Sequence, residues 1–283
     1  MPVASRLLVV LALVIAGCST DEPVERATVE TTTPSTSSAE TTVEATTTTT
    51  APVNPRPEWL GTRVLPLRPD GLGEIQPTPP ELVDRRFATV DVLPRPDHHD
   101  FFSDVALPSD AVIARSTWSP ECPVDVSDLR YVTLPFWGFD GLTHTGELLV
   151  HADAVDSVVA GFRHLHERRF PIEEMRVVTR AELDLPPTGD GNNTSAFVCR
   201  SSVGSSSWSE HAYGRAVDIN PFHNPYVRGD VVIPELASAY VDRPDLPGVL
   251  TEADVAAFEE AGWGWGGRWR SSKDWMHLSA SDG

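Results

Sequence analysis

Ser209-Glu210-His211-Ala212-Tyr213-Gly214-Arg215-Ala216-Val217-Asp218-Ile219-Asn220 is the most informative run in this sequence. His211 and Asp218 stand seven residues apart, with Gly214 between them. The aspartate sits in a word that alternates as a strand does. A glycine turn lets the chain fold back so that both side chains face one point. Imidazole nitrogen and carboxylate oxygen are both good zinc ligands, at ~2.0–2.2 Å. Two ligands do not make a site, so a third is required.

Asp274-Trp275-Met276-His277 supplies it near the end of the chain. His277 completes a His/Asp/His set and leaves a fourth position open to water, the arrangement of a catalytic zinc site with one ion. Asp274, three residues earlier, is placed to reach that water without binding the metal. Such a pairing predicts hydrolysis. A zinc site that only stabilises the fold is the alternative.

Around these motifs the pattern predicts a single α+β domain over residues 128–283. Leu129 to Phe136 and Gly146 to His151 read as strands, and Met175 to Thr179 as a third. Val155, Val158, Val159, Phe162 and Leu165 recur at helical spacing after Asp153, and Phe170-Pro171 ends that helix. His164 and His166 lie on it and are expected to reach solvent. A second helix runs from Thr251 to Ala261, with Thr251 as cap, Asp254 three residues on and Gly262 at its end. Trp263, Trp265 and Trp269 read as core or site wall rather than a sugar platform.

Residues 56–127 are proline-rich and predict an extended wrapping segment with a few short strands. Residues 19–55, with an unbroken threonine run at 46–50, predict a disordered tether. Before them Arg6 precedes an eleven-residue apolar run, too short to span a bilayer but suited to a signal peptide. It ends Val14-Ile15-Ala16-Gly17-Cys18, a lipobox pattern over residues 1–18 in which Cys18 is the lipidation site. The expectation is an exported chain, lipid-anchored to a bacterial membrane and facing the cell wall. In that oxidising setting Cys122 and Cys199 read as a disulfide, two buried thiols being the alternative.

The chain has 283 residues, 22 basic against 41 acidic, for a net charge of -19. Residues 1–55 carry -4 of this and the rest -15, so the folded part is itself acidic. That balance disfavours nucleic acid as a partner. No repeat or long apolar run suits collagen, a coiled coil or a multi-pass membrane protein.

Taken together, Ser-x-His-x-x-Gly-x-Ala-x-Asp and the later acid-x-x-His resemble the zinc D-alanyl-D-alanine carboxypeptidases, the VanY/VanX-like metallopeptidases. Phe139-Asp140-Gly141, Gly146-Glu147-Leu148, Phe170-Pro171-Ile172, the Asn192-to-Arg200 run and the Trp263-to-Trp269 cluster fit the carboxypeptidase-like branch. The resemblance covers roughly residues 120–280. It implies a small domain with a central antiparallel sheet, flanking helices and the zinc site on the sheet. It implies His211, Asp218 and His277 as zinc ligands, and Asp274 as general base where VanX-like members have glutamate. Aspartate occurs there in the related L-Ala-D-Glu endopeptidases. Arg200 matches the arginine that faces substrate and the polarised carbonyl, and Ser209 a substrate-contacting serine. The implied activity is carboxypeptidase action on peptidoglycan stem peptides by a monomer. A stem endopeptidase and a zinc-stabilised cell-wall binding module are the rival readings.

Overall fold

Prolines deny residues 56–127 long ladders or helices, because each one removes a backbone donor. The stretch forms helix α1 (Pro80–Val83), strand β1 (Asp104–Ala106) and helix α2 (Asp110–Arg115). The apolar words Val64–Leu67 and Val90–Leu93 form no strand, and Leu67 makes a single bridge to Gly73. Apolar side chains nevertheless tie the stretch down. Leu65, Leu82 and Phe87 are buried against Phe222, Leu236 and Tyr240. Between them Arg85, 2% exposed, donates to Glu173 from Nε at 2.7 Å and from a terminal nitrogen at 2.9 Å.

The computed structural model describes residues 53–281, which fall within one compact unit. The expected signal peptide, the expected lipidation site Cys18 and nearly all of the expected tether lie outside the described residues. Among the described residues no helix is long and apolar enough to cross a membrane.

The fold is α+β with antiparallel sheets, and the pairing is divided among three of them. In the first, β1 pairs with β2 (Leu129–Trp137), which pairs with β3 (Thr143–His151). Helix α3 (Val155–Glu167) lays Val158, Phe162 and Leu165 on the inner face of β2 and β3, against Val132, Leu134, Leu148 and Val150. Burial of each such side chain stabilises by about 1.5–3 kcal/mol. The strand expected at Met175–Thr179 shortens to β4 (Glu174–Met175), paired parallel to β5 (Asn193–Thr194). Beyond it the Asn193 side chain takes both backbone groups of Arg176, at 3.0 Å each, and so replaces the ladder. Helix α4 (Arg180–Leu183) follows, with Thr179 and Glu182 as its capping box.

The remaining strands are two or three residues long. Strands β6 (Ala216–Asp218), β9 (Gly264–Trp265) and β11 (His277–Ser279) form one sheet in the order β6-β11-β9. Strands β7 (Tyr226–Arg228), β8 (Val231–Ile233) and β10 (Lys273–Asp274) form another in the order β10-β7-β8. Pro221, Pro225 and Pro234 interrupt the chain between and after these words, which keeps the sheets separate. Helix α5 (Glu252–Glu260) starts on the expected box: Asp254 accepts from the Thr251 backbone at 2.8 Å and its hydroxyl at 2.6 Å. It packs on α3 at Gly161, where a Cβ would lie 2.2 Å from the Phe258 ring. His166 does not reach solvent: residues 99–101 fold over the helix end and bury it beside Phe101 and Trp137.

Cys122 and Cys199 form a disulfide across 77 residues, with Cα atoms 5.8 Å apart. It joins the proline-rich stretch to the residue preceding Arg200. On the loop-entropy model the bond is worth about 4 kcal/mol. Replacing both cysteines with serine should lower the denaturant midpoint by a corresponding amount. An unchanged midpoint would show that the link constrains nothing in the unfolded chain.

Candidate metal centre

His211 lies on a single 3-10 turn, Glu210–Tyr213, whose cap is Ser209: the serine oxygen accepts from the His211 amide at 3.4 Å. Gly214 ends the turn in the left-handed region, φ 69°, and sends the chain into β6. There Asp218 stands directly opposite His277 of β11, so their side chains share one face. His277 Nδ1 lies 3.1 Å from both His211 Nε2 and Asp218 Oδ1, and His211 Nε2 lies 3.2 Å from Asp218 Oδ2. His211 Nδ1 donates to the Ala196 carbonyl at 2.6 Å, which leaves the Nε2 lone pair facing the other two groups.

These three residues fit a metal ion. Electron pairs this close repel unless a metal ion or a shared proton lies among them. Tetrahedral zinc with bonds of ~2.0–2.1 Å needs ligand separations of about 3.3–3.4 Å, near those observed. Burial alone would raise the Asp218 carboxyl, but the imidazoles of His211 and His277 hold it far below the ordinary carboxylate range. The anionic ligand is therefore already formed.

Asp274 comes from a different sheet. On β10 it faces Tyr226 of β7, which faces Ile233 of β8, so the three form a row along one face. All three line the cleft, about 740 Å³, that holds the cage. Asp274 Oδ1 is buried and has no hydrogen-bond partner. Burial first, then the charge of Asp218, push its carboxyl up to about 7, against the opposing charges of His277 and Arg200. A base with a pKa near neutrality suits proton transfer. Gly266 makes room for it: a Cβ there would lie 2.6 Å from the Asp274 carbonyl oxygen and 2.8 Å from its Cβ.

Arg200 and Ser209 line the same cleft. The run leading to Arg200 is irregular, held by single bonds from Phe197 to Leu149 and from Val198 to His211. The Arg200 guanidinium donates to the neighbouring Ser201 carbonyl at 3.1 Å, and its own carbonyl accepts from the Ser209 amide. Ser209 thus joins the arginine loop to the His211 turn. Trp263 and Trp265 are core, while Trp269 borders the cleft with its ring 5.6 Å from that of His277.

Residues 203–280 match the family model described as D-alanyl-D-alanine carboxypeptidase. Over this segment the chain is similar to that peptidase family. The matched segment contains the three cage residues, Asp274, Ser209 and Gly266, and begins after Cys199 and Arg200. Neither a curated protein nor a solved structure matches the chain.

Sequence reasoning missed the cleft wall made by Tyr226 and Ile233. Its signal was present: Gly229-Asp230 between two β-branched words is a two-residue hairpin pattern. It also missed Gly266 and the Ala196 carbonyl, for which no local signal exists, because their roles arise only from contacts across the sheets.

Proposed function

We propose that this peptidase is a zinc D-alanyl-D-alanine carboxypeptidase that trims peptidoglycan stem peptides. The observation that carries the reading is Asp274 Oδ1, buried and unpartnered, in the same cleft as a triangle of two histidines and an aspartate. His211, Asp218 and His277 would hold one Zn2+, which when bound would supply Lewis acidity at the scissile carbonyl. Asp274 takes a proton from the attacking water as the water oxygen joins the carbonyl carbon. It then returns that proton to the leaving amine nitrogen as the C–N bond breaks. Arg200 grips the terminal carboxylate with its planar fork. Ser209 keeps the Arg200 loop and the His211 turn in register.

A free terminal carboxylate separates this activity from cleavage within the stem. A peptide ending in D-Ala-D-Ala as the acid should be cut efficiently and its C-terminal amide poorly, with products read by mass. An amide cut as fast as the acid would replace the carboxypeptidase with an endopeptidase, a reading favoured by aspartate rather than glutamate at position 274. No cleavage of any stem peptide would leave a zinc-stabilised binding module.

The lipobox at Cys18 and the tether after it complete the proposal: a monomer anchored by lipid on the membrane and reaching the wall. Cys18→Ser should release the protein from membranes. Unchanged retention there would remove the acyl anchor.

A further inference from the structure

Three arginines line the cleft that holds the cage, and their surroundings differ. Arg268 is committed to the protein itself: Nε lies 2.5 Å and a terminal nitrogen 3.0 Å from Glu259, with Glu252 at 3.3 Å. Among the described residues the Arg200 guanidinium donates to its neighbour's carbonyl, and its charge acts on Asp274. Arg270 is exposed and meets no carboxylate or carbonyl among the described residues. Acidic residues outnumber basic ones by 41 to 22, so carboxylates are plentiful for any arginine placed beside one. Among the described residues neither Arg200 nor Arg270 is held in a salt bridge, in a chain whose overall field repels anions.

The cleft, about 740 Å³, is of the size that houses a drug-sized ligand rather than two alanines. It has room for more of a substrate than the terminal dipeptide. On the proposed function Arg200 takes the terminal carboxylate, and the leaving group of a carboxypeptidase is one residue. Any second anion of the substrate held in this cleft would therefore belong upstream, on the acyl side of the scissile bond. We propose that Arg270 is a second anion subsite that binds a side-chain carboxylate upstream of the bond cut, so that the preferred substrate is an acidic peptide. This assignment rests on the carboxypeptidase reading for the side of the bond, while the cation itself does not depend on it. A planar guanidinium suits a carboxylate in two-point contact.

The test compares two N-acetylated tripeptides, Glu-D-Ala-D-Ala and Gln-D-Ala-D-Ala, on the zinc-loaded full chain. The glutamate peptide should show a kcat/KM about tenfold higher, the scale of one charge-assisted hydrogen bond at a partly wetted site. Arg270→Ala should remove that preference by lowering the glutamate peptide alone, and Arg270→Lys should restore part of it. Arg268→Ala, which frees Glu259 instead, should leave the preference in place. A preference that survives Arg270→Ala, or an equal fall for both peptides, would overturn the subsite. Should the wild type cut neither peptide, the carboxypeptidase reading fails on its own. Calorimetric affinities of the two peptides then decide Arg270: tighter binding of the glutamate peptide, lost in Arg270→Ala, supports the subsite, and equal affinities overturn it.

Discussion

Asp274→Asn should lower turnover by about a thousandfold, within the range ascribed to a lost general base, while zinc content stays at one per chain. Asp218→Ala should lose both zinc and turnover. The two carboxylates differ because their surroundings do. Asp218 stands opposite His277 with both oxygens near imidazole nitrogens, and it is ionised. Asp274 has a buried oxygen without a partner and a carboxyl pushed up to about 7. Equal metal loss in the two variants would make Asp274 a ligand rather than a base. A stability measurement provides a second readout. An acid whose pKa is raised on folding costs stability once the pH exceeds its unfolded value, and the cost is complete above the folded one. The metal-free Asp274→Asn protein should therefore melt no lower than the metal-free parent at pH 8. A lower midpoint would mean that the carboxylate is stabilised by contacts that asparagine cannot replace.

Arg85→Ala should destabilise by about 3–5 kcal/mol, because it leaves a buried carboxylate without its cation. Glu173 is fully buried and takes both Arg85 bonds, with one more from the Asn192 amide at 2.8 Å. The double variant Arg85→Met/Glu173→Leu removes both charges and should recover most of the loss. If the single and double variants unfold at the same denaturant concentration, the pair contributes through packing and not through charge. The same cluster makes stability depend on pH. Burial first, then the charge of Arg85, push His223 from its ordinary 6.5 to about 4. The unfolded chain binds that proton below about 6.5 and the folded one only near 4. The contribution is therefore complete above 6.5 and is lost as the pH falls towards 4, by roughly 3 kcal/mol. A parent stability that stays level from pH 7 to 4.5 would show that His223 is charged in the folded protein.

Local chemistry made much of this protein legible without coordinates. Spacing and residue type alone pointed to His211, Asp218 and His277, because ligand atoms and a glycine turn are properties of a few neighbouring residues. The same holds for α3 and α5, where a helical apolar stripe and the Thr251/Asp254 box act within single turns. The Cys122–Cys199 pair followed from setting Cys18 aside as the expected lipidation site, which leaves two cysteines to pair if the chain is exported.

Long-range contact decided the rest. That antiparallel strands would split into three sheets depends on where Pro221, Pro225 and Pro234 fall relative to partners far away in the chain. Burial of His166 required residues 99–101 to cross the end of α3. Arg85 and Glu173 meet from opposite ends of 88 residues, and no spacing rule brings them together. Arg268 and Arg270 look alike in sequence, yet only the first meets Glu259, because α5 packs beside it. A ligand set is written in short words because bonding chemistry is local. Which charge stays free, which acid is buried and which glycine must make room are settled by residues distant in the chain, through desolvation and close packing that arise only once the chain has folded.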